Sequence, residues 1–157
     1  MNRKISIAGV LSLVAAASSF TNTAGAIVNT HGASWGPYNG TEAQYFIRNA
    51  SGITNTSTSS KYVSAGIPRI PHSSGLQTVY IDGSFANSSQ SVSCTIGSQN
   101  YDGTGWVAKS FTISGVSGAW EGYERFDTTE AGWYFYYNAY CNITGSSATY
   151  VLGAIVE

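Results

Sequence analysis

The sequence is short of charge, and that shortage excludes more than any motif in it does. Lys, Arg, Asp and Glu make up 10% of the 157 residues, against roughly a quarter in an ordinary soluble domain. Beyond Arg3 and Lys4 the only cations are Arg48, Lys61, Arg69, Lys109 and Arg125, set against eight acids. Cations so few and so scattered offer no track for a phosphate backbone, which excludes a nucleic-acid partner. They form no polybasic membrane patch either. Cysteine is equally scarce. Cys94 and Cys141 are the whole supply, and His31 and His72 have no ligands at suitable spacing, so neither a metal nor a cofactor is expected. No apolar run is long enough to span a bilayer. Helical periodicity is missing after the first stretch of the chain.

That first stretch is of another kind. Met1-Asn2-Arg3-Lys4 precedes an apolar run from Ile5 to Ala17, and Ala24-Gly25-Ala26 supplies small residues at −3 and −1. This pattern is a secretory signal peptide over residues 1–26. It leaves one domain from Ile27 to Glu157 and predicts a secreted or periplasmic protein. In an exported chain Cys94 and Cys141 most simply pair, and closing that loop contributes about 3–4 kcal/mol through the unfolded state.

The rest of the sequence reads as strands. Gly132 to Cys141 is its most informative part. Period-2 alternation places Trp133, Phe135, Tyr137, Ala139 and Cys141 on one face and Tyr134, Tyr136, Asn138 and Tyr140 on the other. Leu76–Asp82 points Val79 and Ile81 inward. Ser91–Ile96 does the same with Val92, Cys94 and Ile96, and Trp106–Ser114 with Val107, Phe111 and Ile113. Lys109 breaks the parity of that last strand, a sign of a bulge or a sheet edge. Ala43–Arg48, Lys61–Ala65 and Ala148–Val156 add shorter strands. Asn49–Ser60 reads as an exposed loop and Gly115–Gly132 as irregular. Pro68 and Pro71 confine their segment to an edge or crossing. Seven or eight such strands predict an all-β chain, a single antiparallel β-sandwich of immunoglobulin-like or jelly-roll-like form, with the cysteines tying two inward faces together.

Cys94, Trp106 twelve residues on, and an aromatic strand ending in Cys141 resemble the Cys…Trp…Cys spacing of immunoglobulin-like domains. Asp127 adds to the likeness. Ala139 departs from it, standing where a tyrosine belongs. The whole chain after residue 26 resembles small secreted bacterial β-sandwich proteins with one disulfide. These share an Asn/Ser/Thr-rich early loop, a Ser-x-Ser-Cys strand, an aromatic strand with the second cysteine, and an apolar last strand ending in Glu. That resemblance implies a fold and no activity.

Three constellations bear on function. Gly32-Ala33-Ser34-Trp35-Gly36 matches the nucleophile elbow, but Pro37 and Gly40 prevent the helix that the motif requires. Glu121, Glu124, Asp127 and Glu130 recur every three residues. Carboxylates so placed serve glycoside hydrolysis or calcium binding. Without a regular ligand pattern they are expected to keep a loop solvated, with calcium the second choice. The tyrosine row is the remaining candidate. Tyr134, Tyr136 and Tyr140, with Asn138 as a hydrogen-bonding member and Trp120 or Tyr80 as an extension, form a flat platform with polar edges. It suits sugar rings or a protein partner. The sequence therefore predicts no catalytic residue. It points to a non-catalytic binding module for carbohydrate or another cell-surface molecule, with a structural or interaction protein of the envelope or extracellular matrix as the alternative. Oligomeric state is not legible.

Overall fold

A computed structural model describes residues 28–31, 34–50, 52–68, 76–99, 104–131, 136–145 and 149–156. The predicted signal peptide lies outside the described residues. The described residues form eleven strands: β1 (Val28–His31), β2 (Gly36–Pro37), β3 (Phe46–Asn49), β4 (Gly52–Asn55), β5 (Lys61–Ile67), β6 (Gln77–Phe85), β7 (Ser91–Gln99), β8 (Trp106–Ser114), β9 (Gly118–Phe126), β10 (Tyr136–Ile143) and β11 (Thr149–Val156). One helical turn, α1 (Thr128–Ala131), and a 3₁₀ segment at Gly40–Tyr45 complete them. Among the described residues no helix is long and apolar enough to cross a membrane.

The strands form two antiparallel sheets. One has the order β3-β4-β11-β6-β9, with β1 also paired to β11; the other has the order β2-β5-β10-β7-β8. From β4 onward the chain builds 4-11-6-9 in one layer and 5-10-7-8 in the other, the interleaving of a jelly roll. Of the two forms expected, the immunoglobulin-like one is thereby set aside. The core lies between the layers, where alternation is strict: Gln77, Val79, Ile81, Gly83 and Phe85 of β6 are all buried and their neighbours half-buried.

Cys94 and Cys141 are bonded, as expected, but not between sheets. They face each other in register on β7 and β10, adjacent strands of one layer. Trp106 departs from the immunoglobulin pattern too: it stands 46% exposed rather than buried.

Three segments differ from the sequence reading. Ala43–Arg48 is not one strand; Asn39 caps the 3₁₀ turn by accepting from the Thr41 amide at 3.1 Å, and β3 starts only at Phe46. The supposed loop 49–60 contains β4, whose four residues are all buried. Asn55 makes this burial tolerable. Its Nδ2 donates to the carbonyls of Ser59 (2.8 Å) and Ile143 (3.1 Å), and its Oδ1 accepts from the Ser57 amide (2.9 Å). A buried amide satisfied on both sides acts as backbone for a sheet corner. Asn55→Ala is expected to cost about 2–3 kcal/mol, because the Ile143 carbonyl loses this donor. A denaturant titration checks it, and a loss under half a kilocalorie would remove Asn55 from this role.

The third difference is β9. Trp120 and Phe126 point inward, but between them the inward positions are Gly122 and Glu124, which conceal the alternation. Gly122 is required there. A Cβ on it would lie 2.0 Å from Phe111 Cε2 of the facing sheet. Lys109 marks an edge, not a bulge: β8 is the last strand of its sheet and pairs with β7 without interruption. Its inward amine donates to Glu130 Oε2 (2.7 Å) and to the Arg125 carbonyl (2.6 Å) and sits over the Phe126 ring. A charge aimed inward on an edge strand also discourages pairing with another chain.

Candidate functional site

The outer face of the five-stranded sheet is where the predicted tyrosine row falls. The registers of β5, β7, β8 and β10 sort it into rows. Tyr136 lies beside Gln99, which lies beside Trp106; Asn138 is flanked by Gly97 and Gly66; Tyr140 is flanked by Thr95 and Ser64. Tyr136 is 44% exposed and donates its hydroxyl to Gln99 Oε1 at 2.9 Å. Tyr140 and Asn138 are half-buried. Three of the predicted residues therefore share one solvent-facing surface.

Of the other two, Tyr134 lies outside the described residues. Trp120 is a correction: it belongs to β9 in the other sheet and is buried, its ring centroid 5.5 Å from that of Phe85. Its parity with Phe126 turns it into the core. Tyr80 is on the outer face of that other sheet, 5.6 Å from Tyr123, and extends nothing.

What the sequence reading missed completes a cleft of about 920 Å³. Its walls are Tyr38 and Tyr62 at one end and Trp106 at the other; Ser64, Gly66, Gln99, Asn138 and Tyr140 lie between, with Ser34 and Gly36 at the margin. Tyr38 follows β2, and its amide donates to the Tyr62 carbonyl at 2.9 Å. Its ring centroid is 6.4 Å from that of Tyr62 and 6.0 Å from that of Tyr140, within the range of tilted aromatic pairs. Gly97 explains Trp106. A Cβ at this glycine would lie 1.9 Å from Trp106 Cη2, so the indole lies directly on the sheet where a side chain is missing.

Signals for two of these walls were present. Val107 points inward, so Trp106 must point outward, and Tyr62 bears the same relation to Val63. Tyr38 belongs to no strand and had no such signal. Ser34 of the elbow-like motif stands at the cleft margin and is followed by β2, not by a helix.

The acidic quartet is dispersed. Asp127 and Glu130 form a capping box around α1: Asp127 Oδ1 accepts from the amides of Thr129 (2.8 Å) and Glu130 (2.9 Å), and Glu130 Oε2 accepts from the Asp127 amide (3.0 Å). The Thr129 hydroxyl is the main cause that holds the Asp127 carboxyl below its ordinary range, and Lys109 does the same for Glu130. Glu121 is on the outer face of β9, opposite Asp82. Among the described residues no three potential ligands cluster for a metal. The expected solvated loop is thus a strand and a cap.

Asp82 carries a pH dependence of known sign. Burial, and then the charge of Glu121, raise its carboxyl above the ordinary 3.8. The folded state then holds a proton that the unfolded chain releases, so stability falls as pH rises through the carboxylate range. Asp82→Asn is expected to be more stable than wild type at neutral pH by about 0.5 kcal/mol and equal to it in acid. Urea melts at both pH values test this, and an equal change at both would refute it.

No protein-family model and no curated protein match this sequence. Solved structures do. A xylan-binding module, CBM15, is similar with a TM-score of 0.53 at 9% identity, over 83% of this chain and 95% of that one. A CBM61 module in complex with β-1,4-galactotriose is similar with a TM-score of 0.43 at 7% identity, over 83% and 87%. A family 11 carbohydrate-binding module from Clostridium thermocellum, in complex with a mixed-linked tetrasaccharide, gives 0.43 at 13% identity, over 83% and 86%. At such identity the first likeness is one of fold.

Proposed function

We propose that this protein is a secreted, non-catalytic carbohydrate-binding module whose ligand occupies the cleft on the five-stranded sheet. One observation carries the reading. Tyr38, Tyr62 and Trp106 stand 67%, 47% and 46% exposed around a floor of amides and hydroxyls. Rings left in water cost hydration unless something covers them. Flat apolar faces with polar groups between them match the two kinds of surface of a pyranose. The jelly-roll likeness to a xylan-binding module supports the same reading.

Binding without turnover is favoured because the paired acids are engaged elsewhere. Asp127 and Glu130 cap α1, and Glu121 faces away on the other sheet. The disulfide supports an oxidising compartment, in keeping with the signal peptide read from the sequence. Assembly through open sheet edges has less support, since β2 has two residues, β3 four, β8 carries Lys109, and β9 carries Glu121, Glu124 and Arg125.

Pull-down on insoluble polysaccharides, with tryptophan fluorescence on soluble glycans, tests the proposal. The wild-type protein is expected to be retained on at least one, and Tyr62→Ala to be retained less at unchanged stability. Failure to bind any glycan would overturn it.

A further inference from the structure

Resting on the glycan-binding reading above, we propose that the cleft takes a neutral polysaccharide chain lying obliquely across the sheet, with the Asn138 amide reading its hydroxyls. Charge is the first observation. Among the described residues, no Asp, Glu, Lys or Arg lines the cleft. Lys61, the nearest cation on β5, is paired with Glu42 at 2.7 Å. Arg48 comes near the outer side of Gly36 at the cleft margin and donates to the Trp35 carbonyl at 3.5 Å. On the floor between Trp106 and Tyr62, away from Arg48, a uronate or sulfate would lose water and gain no counter-charge among the described residues, which is costly. A neutral polyol loses much less.

The second observation is direction. From β8, which carries Trp106, to β2, which Tyr38 follows, the sheet order crosses four inter-strand gaps. That is about 19 Å between strand backbones, and the rings lean in from it, Trp106 over Gly97 of β7 and Tyr38 to 6.0 Å from Tyr140 of β10. By register the walls are also offset along the strands, Trp106 level with Tyr136 and Tyr62 with Asn142. Those levels are six residues and so about 20 Å apart, longer than one sugar ring. A ligand touching both aromatic walls is a chain.

The third is Asn138. Its two cross-strand neighbours, Gly66 and Gly97, have no side chain to touch it. Its Oδ1 is buried and has no hydrogen-bond partner among the described residues. Such an orphan costs about 1–3 kcal/mol, yet the amide stands in the floor of the cleft. The terminal torsion of asparagine is broad and two-fold. With no protein bond restraining the oxygen, a half-turn offers a sugar hydroxyl either acceptor or donors. Gln99 beside it is fixed instead by the Tyr136 hydroxyl.

Titration calorimetry of the exported chain with xylohexaose, cellohexaose and hexagalacturonate, at low and high salt, tests this. The expected result is binding of a neutral hexasaccharide, indifferent to salt, with no binding of hexagalacturonate. Asn138→Ala is expected to weaken binding about tenfold (1.4 kcal/mol) with an unchanged or higher melting temperature, and Asn138→Ser to fall between. If Asn138→Ala fails to fold, Asn138→Ser carries the test. Preferred, salt-sensitive binding of hexagalacturonate would overturn the neutral-chain proposal and leave the glycan reading standing. Unchanged affinity in the folded Asn138 variants would remove Asn138 from recognition. If neither these chains nor any glycan of the wider panel binds, the reading on which the proposal rests falls with it.

Discussion

A Gly97→Val variant is expected to fold normally and to lose glycan affinity by about thirtyfold, as much as Trp106→Ala. The estimate follows from about 2 kcal/mol for an aromatic hot spot at tenfold per 1.4 kcal/mol. At position 97 a Cβ would lie 1.9, 2.4 and 2.5 Å from Trp106 Cη2, Cζ3 and Cζ2. Something must move, and the atoms in the way decide what. They are the far edge of a half-exposed ring on an edge strand, so the indole swings off the sheet while the backbone stays. Valine also suits a strand better than glycine, which by itself restores about 0.5–1 kcal/mol. Stability therefore holds or rises while binding falls. A core defect would lower both. Thermal melts alongside affinity on the same preparations decide the matter. Undiminished binding by Gly97→Val would mean that Trp106 is no part of the platform. An unfolded protein would mean that the ring is clamped and the sheet yields first.

Parity made part of this architecture legible and hid part of it. Where every inward residue is large and apolar, as at Val79 and Ile81 or Val92, Cys94 and Ile96, the strand and its direction follow from the sequence alone. The same rule put Tyr136, Asn138 and Tyr140 on one outward face. It failed on β9, where Gly122 yields its place to Phe111 from the other sheet: a contact across the sandwich has no local signature. It failed on β4 because Thr54 and Asn55 are polar yet buried, and their partners lie as far off as Ile143. With Gly115–Gly132 read as irregular, no parity applied to Trp120, which was free to extend the surface platform, though that ring packs on Phe85. The capping box was readable, since Asp-x-x-Glu is its pattern, but the threefold spacing of four acids reads first as a solvated loop. Whether a tyrosine meets Tyr38 from a separate loop depends on strand order, which periodicity does not contain.

Replacing both Cys94 and Cys141 by alanine is expected to give the largest loss of stability, about 4 kcal/mol for a loop of this length. For a chain of this size that is a fall of roughly 8–15 °C in melting temperature. The two residues are 47 positions apart and almost wholly buried. The bond closes one of eight register pairs between β7 and β10. The other seven hold those strands together in the native state without it, so its contribution falls mainly on the unfolded chain, whose freedom it restricts. A corollary concerns the site, because Gly97, Gln99 and Asn138 occupy the outer sides of the same two strands. If the bond acts through the unfolded state, the double variant, kept well below its lower melting temperature, binds glycan as tightly as wild type. Chemical denaturation gives the first quantity and calorimetry at low temperature the second. A small stability change would mean that the unfolded chain is already compact. Loss of affinity in the folded variant would mean that the bond sets the curvature of the sheet beneath the cleft, and thereby the distance between Trp106 and Tyr38.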